Sequence, residues 1–172
     1  MRQFAGDPPI EERVGRALDE RGQTVAVAET CTGGLVGTLL TAVPGASDYF
    51  DRAFVPYSYD SLREELGIAR ETLDAEGVVS APVTRQLARR ARDRADATWG
   101  LATTGVAGPG GGTEGKPVGT AYVGVAYAGP WETETSYAIA ERHAFDGDRG
   151  QVREQVSRAA LERLREGIEK RG

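Results

Sequence analysis

Thr24-Val25-Ala26-Val27-Ala28-Glu29-Thr30-Cys31-Thr32-Gly33-Gly34-Leu35-Val36-Gly37-Thr38-Leu39-Leu40-Thr41-Ala42-Val43-Pro44-Gly45 is the stretch on which the fold turns. Thr24 to Ala28 is a short β-prone run, consistent with a buried parallel strand. Gly33 to Val43 is small and apolar and reads as a buried helix, stopped by Pro44-Gly45. The turn between them holds Thr30, Cys31 and Thr32, each a candidate nucleophile. In open α/β sheets ligands gather at the carboxyl ends of strands, and the N–H groups of a helix start favour a phosphate or an oxyanion. Gly33 and Gly34 let a substrate approach the backbone. A plainer reading stands beside this one: Thr30 or Thr32 as a helix cap and Cys31 as a small buried apolar residue.

Outward from this stretch, strands and helices alternate. Ile10, Val14, Ala17 and Leu18 give an amphipathic helix over residues 9–21, ended by Gly22. A second strand is expected through Ala53-Phe54-Val55-Pro56-Tyr57, with Pro56 marking an edge or a strand end. Short helices follow over 59–67 and 70–76, then a longer one over 81–95 with Val83, Leu87, Ala91 and Ala95 on one face. The Arg85 to Arg94 run on that helix reads as a solvated face, partly balanced by Asp93 and Asp96. Thr98 to Thr104 reads as a strand. Val118 to Tyr127 and Thr133 to Ala140 read as a hairpin about Gly129-Pro130. Val152, Val156, Ala160, Leu164 and Ile168 predict a long C-terminal helix. The expected fold is a three-layer α/β/α sandwich with a mixed, mostly parallel sheet, in one domain over 1–172.

Thr104-Gly105-Val106-Ala107-Gly108-Pro109-Gly110-Gly111-Gly112-Thr113 is the second informative segment. Its glycine density is poor for a helix or strand. It suits a nest of bare N–H groups around a phosphate, or else a flexible surface loop. Gly110 to Lys116 matches the opening of a P-loop, but Pro117 stands where a magnesium-binding Ser or Thr is required and a β-like run follows, so a P-loop is rejected. Tyr57-Ser58-Tyr59-Asp60 adds hydroxyls and a carboxylate, or is a turn capped by Ser58. Asp148 reads as the cap of the last helix. Arg149 either binds a phosphate or ties the loop down. His143 stands alone at a strand end.

Composition narrows the function. The net charge is −5, against the basic balance a general nucleic-acid binder carries. Cys31 is the only cysteine and His143 the only histidine, so neither a disulfide nor a multi-histidine or cysteine metal site is expected. Of the 21 basic residues only Lys116 and Lys170 are lysines, which matters for any mechanism with a lysine base. No apolar run approaches a membrane span, and the N-terminal residues lack the apolar core of a signal peptide, so a cytoplasmic protein is expected.

In this order, Ala28 to Gly34, Val43-Pro44-Gly45-Ala46-Ser47, Tyr57-Ser58, Gly77-Val78-Val79-Ser80, Thr104 to Thr113, Lys116-Pro117-Val118-Gly119-Thr120 and Phe145 to Arg149 with Val152-Arg153 resemble the CinA C-terminal domain family, the nicotinamide-nucleotide amidohydrolases, in its stand-alone form. The likeness covers residues 9–168. It implies hydrolysis of nicotinamide mononucleotide (NMN) to nicotinic acid mononucleotide and ammonia, within pyridine-nucleotide salvage. It also implies an α/β/α homodimer, with no metal or cofactor. The implied mechanism uses a serine in A-E-S-C-T-G-G, helped by a lysine and a tyrosine in Y-S-N-x-x-K. Here the serine position is Thr30, the lysine position is Leu62, the asparagine position is Tyr59, and Tyr57 keeps the tyrosine. The site expected is therefore Thr30 and Tyr57 for catalysis. Cys31, Thr32, Gly33, Gly34, Thr104, Gly105, Gly108, Gly110, Gly111, Lys116 and Arg149 are expected to bind substrate or phosphate. The alternative is the same pocket binding a pyridine nucleotide or related phosphate ligand with its chemistry impaired.

Overall fold

The computed structural model describes residues 2–171; Met1 and Gly172, the ends of the expected 1–172 domain, lie outside the described residues. The strands are β1 (Val25–Glu29), β2 (Phe50–Phe54), β3 (Trp99–Gly105), β4 (Thr120–Tyr127) and β5 (Tyr137–Ala144). The helices are α1 (Ile10–Asp19), α2 (Leu35–Thr41), α3 (Tyr59–Leu66), α4 (Arg70–Glu76), α5 (Ala81–Ala95) and α6 (Arg149–Glu169). The strands form one sheet in the order β2-β1-β3-β4-β5. β1 pairs parallel with β2 and with β3, and β4 is antiparallel to both β3 and β5. Four of the five strands thus run one way, and the sheet is mixed as expected.

Alternation along the strands builds two unlike layers. Val25, Val27, Trp99, Leu101, Val123, Val125 and Tyr127 pack into one core with residues of α1, α2 and α6. Ala26, Ala28, Ala102 and Ala126 face the opposite core, with Leu62, Leu66, Leu73, Val83 and Leu87 of α3, α4 and α5. Small residues on that second face bring α5 down onto the sheet. A Cβ on Gly100 would stand 1.9 Å from the Ala88 carbonyl oxygen, and one on Gly124 2.8 Å from that of Thr84.

Two strands lie elsewhere than the sequence pattern predicts. β2 occupies Phe50–Phe54 rather than Ala53 to Tyr57, and Pro56 falls beyond its end. β5 occupies Tyr137–Ala144 rather than Thr133 to Ala140. Thr133 belongs to the connecting loop, where its N–H and hydroxyl both bond the Pro130 carbonyl at 3.2 and 2.7 Å. Both are edge strands with much of their surface in solvent, so burial imposes little pattern on them.

Ion pairs join α1 to α6. Arg158 bonds Glu11 at 3.0 Å and Glu154 at 2.9 Å, with all three side chains buried. Glu154 also accepts the Phe4 N–H at 3.2 Å. Burial opposes ionisation of Glu154. The bonds from Arg158 and Phe4 outweigh it and hold the carboxyl below its ordinary range.

Candidate active site

β1 ends at Glu29, and the next residues divide between the two faces of the sheet. The buried Glu29 carboxylate turns toward α2 and accepts the Val36 N–H at 3.0 Å, the Gly37 N–H at 2.8 Å and the Thr32 hydroxyl at 2.6 Å. Since Thr32 gives its proton to Glu29, the 2.7 Å contact between Thr32 and Thr103 has the Thr103 hydroxyl donating. Arg153 of α6 completes the knot through two bonds to the Thr32 carbonyl, at 2.6 and 3.2 Å. N–H groups at the start of α2, which the sequence offers to a substrate anion, are therefore taken by the chain's own carboxylate. Gly34 precedes α2 with φ of 88°, a conformation that favours glycine, and neither Thr30 nor Thr32 is the helix cap.

Thr30 faces the other way, into a cavity of about 340 Å³ at the carboxyl ends of β1 and β3. That volume is at the small end of small-molecule sites. Thr30, Cys31, Tyr57, Gly105, Gly108, Gly110, Gly111 and Arg149 of the expected site all line it. Thr32, Gly33, Gly34, Thr104 and Lys116 lie outside the lining. Thr32 belongs to the Glu29 knot, and the buried Thr104 hydroxyl pairs with that of Thr84 at 2.9 Å. Lys116 reaches the Glu76 carbonyl at the end of α4, with Nζ 3.0 Å from the oxygen.

The Thr30 hydroxyl donates to the Thr103 carbonyl at 3.1 Å. Burial pushes the Cys31 thiol up to about 12, so it is a protonated, poor nucleophile near neutral pH. Tyr57 is 67% exposed and accepts a bond of 3.0 Å from Arg149, which also donates to the Gly108 carbonyl at 2.7 Å. Arg149 thereby joins the glycine loop to the segment between β2 and α3. Asp148 caps α6 in a capping box with Gln151, and Ser58 caps α3 in one with Ser61. Among the described residues, the N–H groups of Gly108, Gly110 and Gly111 have no protein acceptor. They belong to a loop that lines the cavity, whereas the Val36 and Gly37 N–H groups at the α2 start are taken.

Leu62 lines the same cavity and is almost wholly buried, packed with Leu66 and Leu73. Val78, Val79, Val106, Ala107, Pro56 and Tyr59 complete a largely apolar wall. Sequence reasoning did not place the valines at the cavity; their signal was the Gly77-Val78-Val79-Ser80 run itself, which meets the site through the turn into α5. Glu29 was also missed as a structural anchor. Its only signal was a carboxylate ending an apolar strand beside a helix start. Among the described residues no group of three or more His, Cys, Asp or Glu side chains is placed to hold a metal, and no helix is long and apolar enough to cross a membrane.

Comparison with known proteins agrees with this architecture. A model of the CinA C-terminal domain matches residues 7–168. A CinA-like protein of Anaeromyxobacter sp. (strain K) is 48% identical over 160 residues, covering 93% of this chain and 38% of that protein. The chain thus spans well under half of several CinA-like relatives. The nicotinamide-nucleotide amidohydrolase PncC of Escherichia coli (strain K12) is 41% identical over 155 residues, 90% of either chain. Among solved structures, a CinA superfamily protein from Klebsiella pneumoniae 700603 superposes with a TM-score of 0.86 at 30% identity, covering 94% of this chain and 96% of that one. The competence/damage inducible protein CihA from Agrobacterium tumefaciens does so with a TM-score of 0.85 at 36% identity, covering 98% and 99%. With the family model spanning nearly the whole chain and the sheet, turn and glycine loop in place, this chain belongs to the CinA C-terminal domain family.

Proposed function

We propose that the cavity binds a pyridine mononucleotide of the NMN type and that this chain hydrolyses its carboxamide poorly. Phosphate lies toward Arg149 and the free amides of the glycine loop, and the ring lies along the apolar wall. Hydrolysis requires the Thr30 hydroxyl to lose its proton as Oγ1 bonds the amide carbon, the amide nitrogen to gain one as the C–N bond breaks and ammonia leaves, and water then to cleave the resulting ester and restore the hydroxyl. The observation that carries the reading is Leu62. It fills, with a buried apolar side chain, the position where the family resemblance implies the lysine that takes the proton. The Thr103 carbonyl that receives the Thr30 O–H bond is not a base. Tyr57 accepts its bond from Arg149 and keeps its own proton to donate, so a donor is present without its partner. The same proposal carries a homodimer and a cytoplasmic role in pyridine-nucleotide salvage, as the resemblance implies.

Ammonia release from NMN, with calorimetric binding in parallel, tests this. Saturable binding is expected, with turnover about 10²–10⁴-fold below that of the double variant Leu62→Lys, Thr30→Ser. The second reading is an efficient amidase with Thr30 as nucleophile. It is favoured by the 41% identical amidohydrolase and by the placement of Thr30 in the cavity wall. Brisk turnover that is lost in Thr30→Ala and not raised by Leu62→Lys would establish that reading instead.

A further inference from the structure

The candidate cavity is electrically lopsided. Its lining has one charged side chain, Arg149, and no Asp or Glu. Arg149 and the free glycine-loop amides make one end suited to an anion. A cationic group in the same cavity meets no carboxylate, and the lining side chains with an aromatic ring to offer it are Tyr57 and Tyr59. Tyr57 is engaged by Arg149 through its hydroxyl. Tyr59 is the first residue of α3 and 49% exposed, with no side-chain hydrogen bond and no ring partner among the described residues. The Ser58–Ser61 capping box fixes the helix start that carries it. Packing therefore does not account for an aromatic ring at this point of the cavity wall.

We infer that Tyr59 is a specificity-determining residue, selecting a ligand with a cationic aromatic ring, such as a pyridinium, over the same ligand with a neutral ring. The inference rests on the mononucleotide reading above. It assigns the two ends of a dipolar ligand, the anion to Arg149 and the ring cation to Tyr59. No bond is made or broken; the selection is one of binding.

The test is calorimetry with NMN and with its reduced 1,4-dihydropyridine form, which keeps the phosphate and loses the ring charge. Wild type and Tyr59→Phe are expected to bind the oxidised form about tenfold more tightly, as a partly desolvated cation–π contact gives. Tyr59→Leu and Tyr59→Asn are expected to lose that preference and to bind the two forms within about twofold of each other. Urea unfolding curves matching those of wild type report an intact fold. A preference that survives in both non-aromatic variants, or equal binding of both forms by wild type, overturns the role of Tyr59 and leaves the nucleotide reading standing. If wild type binds neither form, both readings fall.

Discussion

Glu29 and Thr30 are neighbours in sequence and opposites in structure. Glu29 turns to the face of the sheet clad by large side chains, where it is sealed within a knot of donors. Thr30 turns to the face clad by alanine and glycine, where the layer opens into a cavity at the strand ends. A buried carboxylate is tolerable only when donors surround it, so the knot is closed to ligands. The cavity wall keeps glycine-loop amides without a protein acceptor at a concave surface, as a binding site requires. One turn thus serves as both the anchor of the fold and the wall of the site, and the two roles separate by side-chain direction alone.

The sharpest way to break this contrast is Glu29→Ala. It leaves the Val36 and Gly37 N–H groups and the Thr32 hydroxyl without their acceptor, and a loss of about 3–4 kcal/mol is expected. Urea unfolding measures it, and a loss below about 1 kcal/mol would mean that the knot is not the anchor described. On the small-residue face, Gly100→Ala drives a methyl into the Ala88 carbonyl and forces α5 off the sheet. The expected cost is about 2–3 kcal/mol, read by the same unfolding curves. NMN affinity should weaken with it, because α5 follows directly from the Val78-Val79 part of the cavity wall.

The smallest effect concerns the buried ion pairs behind the large-residue face. Glu154 has a folded-state pKa below its unfolded value. Its stabilisation is therefore complete above the unfolded carboxylate range and is lost as pH falls through the folded value. Wild type should lose stability between neutral pH and pH about 3 more steeply than Glu154→Gln. Equal slopes in denaturant titrations across that range would remove Glu154 from the account.

Much of the fold is legible along the chain because its causes are local. The apolar run at β1, the caps at Ser58 and Asp148 and the periodicity of α5 and α6 each act within a few residues. β2 and β5 are displaced from the predicted segments because edge strands, half in solvent, lack the alternation that burial enforces. The candidate site divides the same way. Thr30, Tyr57, Arg149 and the cavity-lining glycines can be nominated from motif and residue type. Lys116 looks equivalent in the sequence, yet its ammonium is bound to the Glu76 carbonyl outside the cavity lining.

The sequence by itself determined the α/β class, the hydroxyl turn between strand and helix, the glycine loop, and the apolar side chain at Leu62. Those are properties of residue type and order. Tertiary structure alone decided that Glu29 consumes the helix start, that Thr30 spends its proton on the Thr103 carbonyl, and that Arg149 spans from Gly108 to Tyr57. Each of these last contacts depends on which partners the packed sheet and helices bring within hydrogen-bond distance, and two of them join residues more than 70 positions apart. A hydrogen bond reaches about 3 Å, so its partner is set by the packed fold and not by the residue's own neighbours in the chain.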